Sequence, residues 1–271
     1  MSRRVRLDAE LVRRGLARSR DHAAQLVADG KVSVAGQRAT KSATQVGTDQ
    51  PVVVRDADDP GWASRGAHKL LGALEAFEPA GLRVQGRRCL DAGASTGGFT
   101  DVLLRRGVER VVAVDVGYGQ LVWRLRDDER VQVHDRTNVR TLTVDDIGGP
   151  VDLVVSDLSF ISLTVVLPAL TGVCQEDSDI VLMIKPQFEV GRENLGKNGV
   201  VRDPVLHADA VERVLTAAAG LGWGTHGLAP SPLPGPAGNV EYFCWLRHGG
   251  DAAPRTDVEA VVAAGPLVAD A

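Results

Sequence analysis

Cys89-Leu90-Asp91-Ala92-Gly93-Ala94-Ser95-Thr96-Gly97-Gly98-Phe99 decides the fold: an apolar run ends in an acid, a glycine-rich turn follows, and a helical pattern begins. Glycines at such a strand-to-helix turn let backbone approach a ligand. The dinucleotide fingerprint G-x-G-x-x-G is not met, because Ser95 stands where its second glycine would fall, and a nicotinamide site is disfavoured. Outward from this turn, short apolar runs alternate with helical stretches. Strands are expected over 88–93, 110–116, 131–134, 151–158, 179–185, 224–229 and 240–246. Helices are expected over 99–106, 120–126, 163–170 and 205–221, with an amphipathic helix over 69–77 ahead of the first strand. That alternation predicts a doubly wound α/β sheet with ligands at the carboxyl ends of its strands.

The chain has 271 residues, 44% hydrophobic and 24% charged, enough apolar material for one or two globular domains and unlike a disordered or collagenous chain. Its charge is divided. Residues 1–55 hold eleven Lys or Arg against five Asp or Glu, net +6, whereas the whole chain carries −4 and the remainder therefore −10. The acidic Asp56-Ala57-Asp58-Asp59-Pro60-Gly61, punctuated by Pro and Gly, marks a linker over 56–65. Expected domains are 1–55 and 66–248, with a tail, 249–271, that is disordered or at most a weak helix. Cys89, Cys174 and Cys244 lie apart without C-x-x-C spacing, which argues against disulfides or zinc and fits a reducing cytoplasm. The six histidines are scattered, so no metal site is expected, and the protein is taken as a monomer. The basic N-terminus is not followed by an apolar h-region, and no run of about 18 apolar residues occurs. Neither secretion nor membrane spanning is expected.

Leu7, Leu11, Val12 and Leu16 recur at helical spacing, and Ser19 stands as N-cap to a second helix carrying Ala23, Ala24, Leu26 and Val27. Gly15 and Gly30 end these helices, and strands follow at 31–36 and 51–54. Arg3, Arg4, Arg6, Arg13, Arg14, Arg18 and Arg20 put seven arginines into eighteen residues with little acidic compensation. A solvated face is the ordinary alternative; a nucleic-acid surface is the reading preferred here. No aromatic residue precedes Trp62, so this module cannot read single strands by stacking and should grip the phosphates of a folded RNA. Arg6-Leu7-Asp8-x-x-Leu11-x-x-x-Gly15-Leu16-Ala17-x-Ser19-Arg20, then Ala23 to Gly30 and Val32-x-Val34-x-Gly36, resembles the S4 RNA-binding domain over residues 5–54. The expected RNA contacts are Arg4, Arg6, Arg18, Arg20 and Lys41.

Lysine is scarce, five against twenty-six arginines, so each lysine raises the question of why arginine did not serve. Ile184-Lys185-Pro186-Gln187-Phe188-Glu189 sets a lysine at the end of an apolar strand, where without a partner it is costly; it snorkels or does chemistry. The fourth strand ends Val154-Val155-Ser156-Asp157-Leu158-Ser159-Phe160, lacking the Asn-Pro-Pro-Tyr expected of an enzyme that methylates a base amino group. Asp91-x-Gly93-x-x-x-Gly97, with Asp115 at the next strand end, resembles motifs I and II of class I S-adenosylmethionine methyltransferases. The order Lys69, Asp157, Lys185, Glu241 is similar to the Lys-Asp-Lys-Glu tetrad of FtsJ-like ribose 2′-O-methyltransferases. These resemblances imply a cofactor site of Asp91, Gly93, Ser95, Thr96, Gly97, Asp115 and Asp157, with Asp115 accepting the ribose hydroxyls. Asn138 and Phe160 are candidates for the adenine end, with capping or packing as alternatives. Tyr118, in Val116-Gly117-Tyr118-Gly119, either stacks a displaced base or belongs to the core.

A ribose hydroxyl is a weak acid, so methyl transfer to it needs a base held close. A lysine serves when its surroundings lower its pKa from about 10.4 toward ~7–8. Lys69 is expected to disfavour the ammonium form of Lys185, with Asp157 and Glu241 orienting it, whereas arginine does not deprotonate in proteins.

Taken whole, the S4 module, the linker with Trp62, Ser64-Arg65-Gly66-Ala67-His68-Lys69-Leu70, and Ser231-Pro232-Leu233-Pro234-Gly235-Pro236-x-Gly238-Asn239-Val240-Glu241-Tyr242 resemble the TlyA family. That resemblance implies an S-adenosylmethionine-dependent ribosomal RNA cytidine 2′-O-methyltransferase. Its substrate would be 16S RNA in 30S subunits and, in some members, 23S RNA in 50S subunits, and its product would support capreomycin-type antibiotic binding. One departure is Pro60-Gly61 ahead of Trp62, where the family's linkers carry an arginine. Members also bear the haemolysin name, so a membrane-acting protein is a second class of reading. It is opposed by the lack of an apolar span or a basic amphipathic helix with an aromatic face. A third, an S4 binding protein with an inactive methyltransferase fold, is opposed by the intact tetrad.

Overall fold

The computed structural model describes residues 4–17, 19–48, 50–54, 61–235 and 237–265, and the chain divides into two compact units, Met1–Gly61 and Trp62–Ala271. In the first, β1 (Arg4–Arg6) runs into α1 (Leu7–Arg13), and α2 (Arg20–Ala28) follows. Then come β2 (Val32–Val34), β3 (Gln37–Arg38), β4 (Gln45–Gly47) and β5 (Val52–Val54). β1 pairs with β4, and β3-β2-β5 form a second small antiparallel sheet. Ser19 caps α2 by accepting the His22 N–H at 3.1 Å, satisfying a donor the helix leaves open. Leu7, Leu11, Ala23, Val27 and Val46 close a small core. β1, β3 and β4 have no counterpart in the sequence reading, because two or three residues are too few to show alternation.

The arginines are better compensated than composition suggests. Buried Asp8 takes Arg6 at 2.7 Å and Arg20 at 3.1 Å, while buried Glu10 takes Arg13 and Arg14, both at 2.6 Å. The Arg6 guanidinium holds the Asp8 carboxyl well below the usual range, and Arg13 draws Glu10 down to about 2, each against the opposing pull of burial.

The second unit begins with α3 (Gly66–Phe77), whose Leu70, Leu74 and Phe77 are buried. β6 (Arg88–Ala92), α4 (Gly98–Arg105), β7 (Arg110–Val114), α5 (Trp123–Arg126) and β8 (Val131–His134) make one half. β9 (Val151–Ser156), α6 (Leu163–Gly172), β10 (Cys174–Ile184), α7 (Pro186–Glu189), α8 (Pro204–Gly220), β11 (Trp223–Pro230), β12 (Tyr242–His248) and α9 (Arg255–Ala264) make the other. The sheet order is β11-β12-β10-β9-β6-β7-β8, with β12 antiparallel to both neighbours and β6 to β10 mutually parallel. The parallel strands are covered on both faces, which is why they read as unbroken apolar runs such as Val111-Val112-Ala113-Val114. Leu70, Leu103 and Leu125 of α3, α4 and α5 pack on one face, and Leu167, Val211 and Val258 of α6, α8 and α9 on the other. Each such side chain stabilises by about 1.5–3 kcal/mol relative to exposure. From β6 the chain winds outward to β8, then crosses back to β9. The winding therefore reverses between β6 and β9, where an open sheet leaves a crevice.

The tail takes the helical one of its two expected forms and packs on the sheet. After β12 the chain turns back, so that Gly249 O accepts the Gly224 N–H at 3.1 Å and Asp251 O the Thr225 N–H at 2.9 Å. A Cβ on Gly224 would meet Gly249 O at 2.5 Å, so this close passage needs glycine. Residues 255–264 then form α9, with Val258 fully buried and Arg255 paired to Asp209 (2.6 Å) and Glu212 (2.7 Å) of α8. One buried valine among alanines and charges is too faint a period to announce a packed helix. Among the described residues no helix is long and apolar enough to cross a membrane.

Candidate active site

A cleft of about 310 Å³ opens at the carboxyl edge of the sheet, lined by residues 64–66 and Lys69 at the start of α3, the turn 93–96, Asp157, Leu233 and Pro234. Gly93 has φ +92°, and a Cβ there would come within 2.9 Å of Asp157 O, so only glycine lets the β6 turn pass beneath the end of β9. Asp115, just past β7, accepts the N–H of Ser95 at 2.9 Å and of Gly117 at 2.7 Å, one bond on each oxygen. It ties the turn to the second strand and keeps acceptor capacity on both oxygens. Asp91 does not line the cleft. Fully buried, it accepts the Thr100 hydroxyl at 2.7 Å and leaves Oδ1 without a partner, bracing α4 from below. Burial pushes its carboxyl up to about 7, with Thr100 opposing.

The four tetrad residues meet at this edge because three strands end there. In the β10–β12 ladder Ile184 faces Tyr242, which puts Lys185 beside Glu241; in the β9–β10 ladder Ser156 faces Leu182, which brings Asp157 alongside. Pro186 opens α7, and Lys185 stands between it and the end of β10 at Ile184. Lys69, Lys185 and Glu241 are buried. They resolve into two ion pairs: Lys69 Nζ to Glu241 Oε2 at 2.5 Å and Lys185 Nζ to Asp157 Oδ1 at 2.5 Å. Lys185 also donates to Ser159 Oγ at 3.0 Å, and Gln187 Nε2 lies 3.5 Å from Glu241 Oε1. The Lys185–Asp157 contact lacks hydrogen-bond alignment, so charge attraction holds it. Each lysine thus has its own carboxylate, Glu241 for Lys69 and Asp157 for Lys185.

Other expected residues fall elsewhere. Gly97 packs against Leu121 and Leu125, Asn138 is exposed and caps the turn through the Arg140 N–H at 3.0 Å, and Phe160 is 90% exposed with its ring 5.2 Å from Phe188. Thr96 lies on the cleft with Ser95. Tyr118 is exposed, its ring 4.2 Å from the Arg136 guanidinium, which removes the core alternative. Arg4, Arg6, Arg20 and Lys41 are exposed on the first unit, and Arg18 and Pro60 lie outside the described residues. Trp62 carries the Arg105 guanidinium 4.0 Å over its ring, and the Ala63 N–H donates to Asp101 at 2.9 Å. Sequence reasoning missed Ser159 and Gln187, each two residues from a tetrad member; the strand-end rule that found Asp157 and Lys185 extends to them. Among the described residues no group of three or more His, Cys, Asp or Glu could hold a metal ion.

A mostly parallel sheet with one reversed strand, a glycine turn at its switch point and a Lys-Asp-Lys-Glu set beside it define a methyltransferase of the FtsJ-like class. Residues 62–248 match the FtsJ-like methyltransferase family and residues 5–52 the S4 domain. The chain is 60% identical over 253 residues to the 16S/23S rRNA (cytidine-2′-O)-methyltransferase TlyA of Mycobacterium tuberculosis, covering 93% of each. It is 35% identical to Hemolysin A of Brachyspira hyodysenteriae, over 88% of this chain and 98% of that one. A solved structure from Streptococcus thermophilus, carried under the hemolysin name, superposes with a TM-score of 0.78 at 36% identity, covering 97% of this chain and 96% of that one. The chain belongs to the TlyA family.

Proposed function

We propose that the protein transfers a methyl group from S-adenosylmethionine to the ribose 2′-hydroxyl of a cytidine in ribosomal RNA. The observation that carries this reading is the meeting of two lysine–carboxylate pairs and a glycine turn at one sheet edge. The residues present fit the cofactor: Gly93 lets backbone approach it, and Asp115 keeps one acceptor site on each oxygen for a pair of ribose hydroxyls. S-Adenosylmethionine supplies an electrophilic methyl, so no metal is needed for in-line displacement. Once Lys185 has released to solvent the proton it carries in the pair with Asp157, it presents its amine to the attacking hydroxyl and takes that group's proton, and Asp157 and Ser159 hold Nζ in place. Lys69 and Glu241 neutralise each other on the adjoining wall and fix its shape. Lysine rather than arginine is required because only lysine can present a lone pair.

The arginines of the first unit supply phosphate contacts, which position an RNA without adding transition-state stabilisation. Both subunit RNAs are within this reading, as is support of capreomycin-type antibiotic sensitivity, and a ribosomal substrate sets the reaction in the cytoplasm. Incubating the protein with 30S or 50S subunits and labelled S-adenosylmethionine, then mapping 2′-O-methyl stops by reverse transcription, tests it. A stop at one cytidine is expected in each subunit RNA that is a substrate. Methyl found on a base, or none on either subunit, rejects the reading.

A further inference from the structure

Two segments leave the sheet edge side by side, 157–162 after β9 and 185–189 after β10, and each carries half of the Lys185–Asp157 pair. They are tied along their whole length. Lys185 holds Asp157 and Ser159 at the near end, and the Phe188 and Phe160 rings stand 5.2 Å apart in the middle. At the far end the Glu189 carboxylate accepts the Ser162 hydroxyl at 2.5 Å and the Leu163 N–H at 2.8 Å. Glu189 is 3% exposed, an ionisable side chain that no step of the reaction uses. Burial raises its pKa, and the bonds from Ser162 and Leu163 oppose the rise. Its carboxylate faces the first turn of α6, where unpaired N–H groups favour negative charge. Arg213 of α8 donates to Glu189 O at 2.6 Å, so the backbone beneath it is held as well.

We propose that Glu189 is a positioning residue: by gripping Ser162 and Leu163 it fixes the spacing of the two segments, and with it the place of Lys185 Nζ at the reacting hydroxyl. The inference rests on the ribose methylation proposed above. A reacting group displaced by about an ångström can lose on the order of a hundredfold in rate, so a residue outside the chemistry can control it. Glutamine can replace the grip. Its Oε1 accepts the Leu163 N–H and its Nε2 donates to Ser162 Oγ, whose own hydrogen turns to Thr164 Oγ1, 2.7 Å away.

The test is single-turnover methylation of ribosomal subunits by the full chain, with S-adenosylmethionine affinity measured by calorimetry on the same variants. Glu189→Ala is expected to slow methylation on the order of tenfold or more with cofactor affinity unchanged, and Glu189→Gln to restore the rate to within about threefold. Ser162→Ala should slow it less than Glu189→Ala, and the double variant should be no slower than Glu189→Ala alone. A wild-type rate in Glu189→Ala, an equal loss in Glu189→Gln, or additive losses in the double variant overturns the proposal. If Glu189→Ala does not fold, Ser162→Ala decides alone: a wild-type rate there overturns it. Failure of the wild-type protein to methylate a ribose oxygen rejects the functional reading instead, before any variant is compared.

Discussion

Lys185 sits where a guanidinium would keep the charge but not the chemistry. Lys185→Arg should therefore lose turnover nearly as far as Lys185→Ala, on the order of a hundredfold or more, while calorimetry returns a wild-type affinity for S-adenosylmethionine. Retained turnover in Lys185→Arg would place the base elsewhere. Asp91 offers a different measurement, because its buried carboxyl is pushed up to about 7. An acid whose folded pKa is raised favours the fold while protonated; that contribution is complete below the ordinary value near 4 and is lost as pH rises through about 7. Relative to Asp91→Asn, the wild type should lose stability in denaturant melts as pH rises from about 4 to about 7, on the order of a few kcal/mol. No change of slope in that variant would show that Asp91 titrates as an ordinary acid. Asp157, Lys185 and Glu241 were legible in the sequence because they sit at strand ends, which a parallel sheet must bring together, and Lys69 because it stands on the helix ahead of the first strand. The pairing of Lys69 with Glu241 and of Lys185 with Asp157 was not, since partner choice depends on side-chain reach within the edge.

At the scale of elements, α8 is locked to β12 and to the loop before it by one imidazole. His207 Nδ1 meets Tyr242 Oη at 2.9 Å and Nε2 meets Val201 O at 2.9 Å. A carbonyl can only accept, so Nε2 carries the hydrogen and Nδ1 accepts from the tyrosine. Burial lowers the pKa of His207. The unfolded chain takes up that proton near pH 6.5 while the folded one resists it, so this contribution is complete above about 6.5 and is lost as pH falls below it. Relative to His207→Gln, the wild type should lose stability from pH 7 toward pH 5, a contribution opposite in sign to that of Asp91 over the same range; a wild-type-minus-variant difference that does not change with pH would exclude His207 as its source. The inner strands of the large sheet could be read in advance because burial on two faces makes them mainly apolar, while the edge strands β8 and β11 show as mixed runs. Their ends could not: β10 begins five residues before its expected start, where Gln175, Glu176 and Asp177 carry no apolar signal and the pairing with β9 slips. β1, β3 and β4 of the first unit were invisible because two or three residues make no period, and α9, with one buried valine, showed only as a weak helix.

For the whole molecule, the sign of the charge differs between its two units, and the arginines of the first are presented on buried acids. Asp8 holds Arg6 and Arg20 together, so two guanidiniums are aimed by one carboxylate. Arg6→Glu should weaken binding to ribosomal particles and make the log affinity against log salt shallower by about one unit, leaving S-adenosylmethionine affinity intact. A wild-type salt slope would remove Arg6 from the phosphate contacts. The second unit ends in a feature with a bearing on solubility. β11 is the outermost strand of the sheet, and the returning chain at Asp251 occupies its outward Thr225 N–H before α9 lies down over it. Residues 249–264 therefore act as a stopper against strand addition: a chain cut after His248 would keep its reaction centre but uncover the outer edge of β11 to its neighbours, and should self-associate where the full chain does not, as light scattering would show.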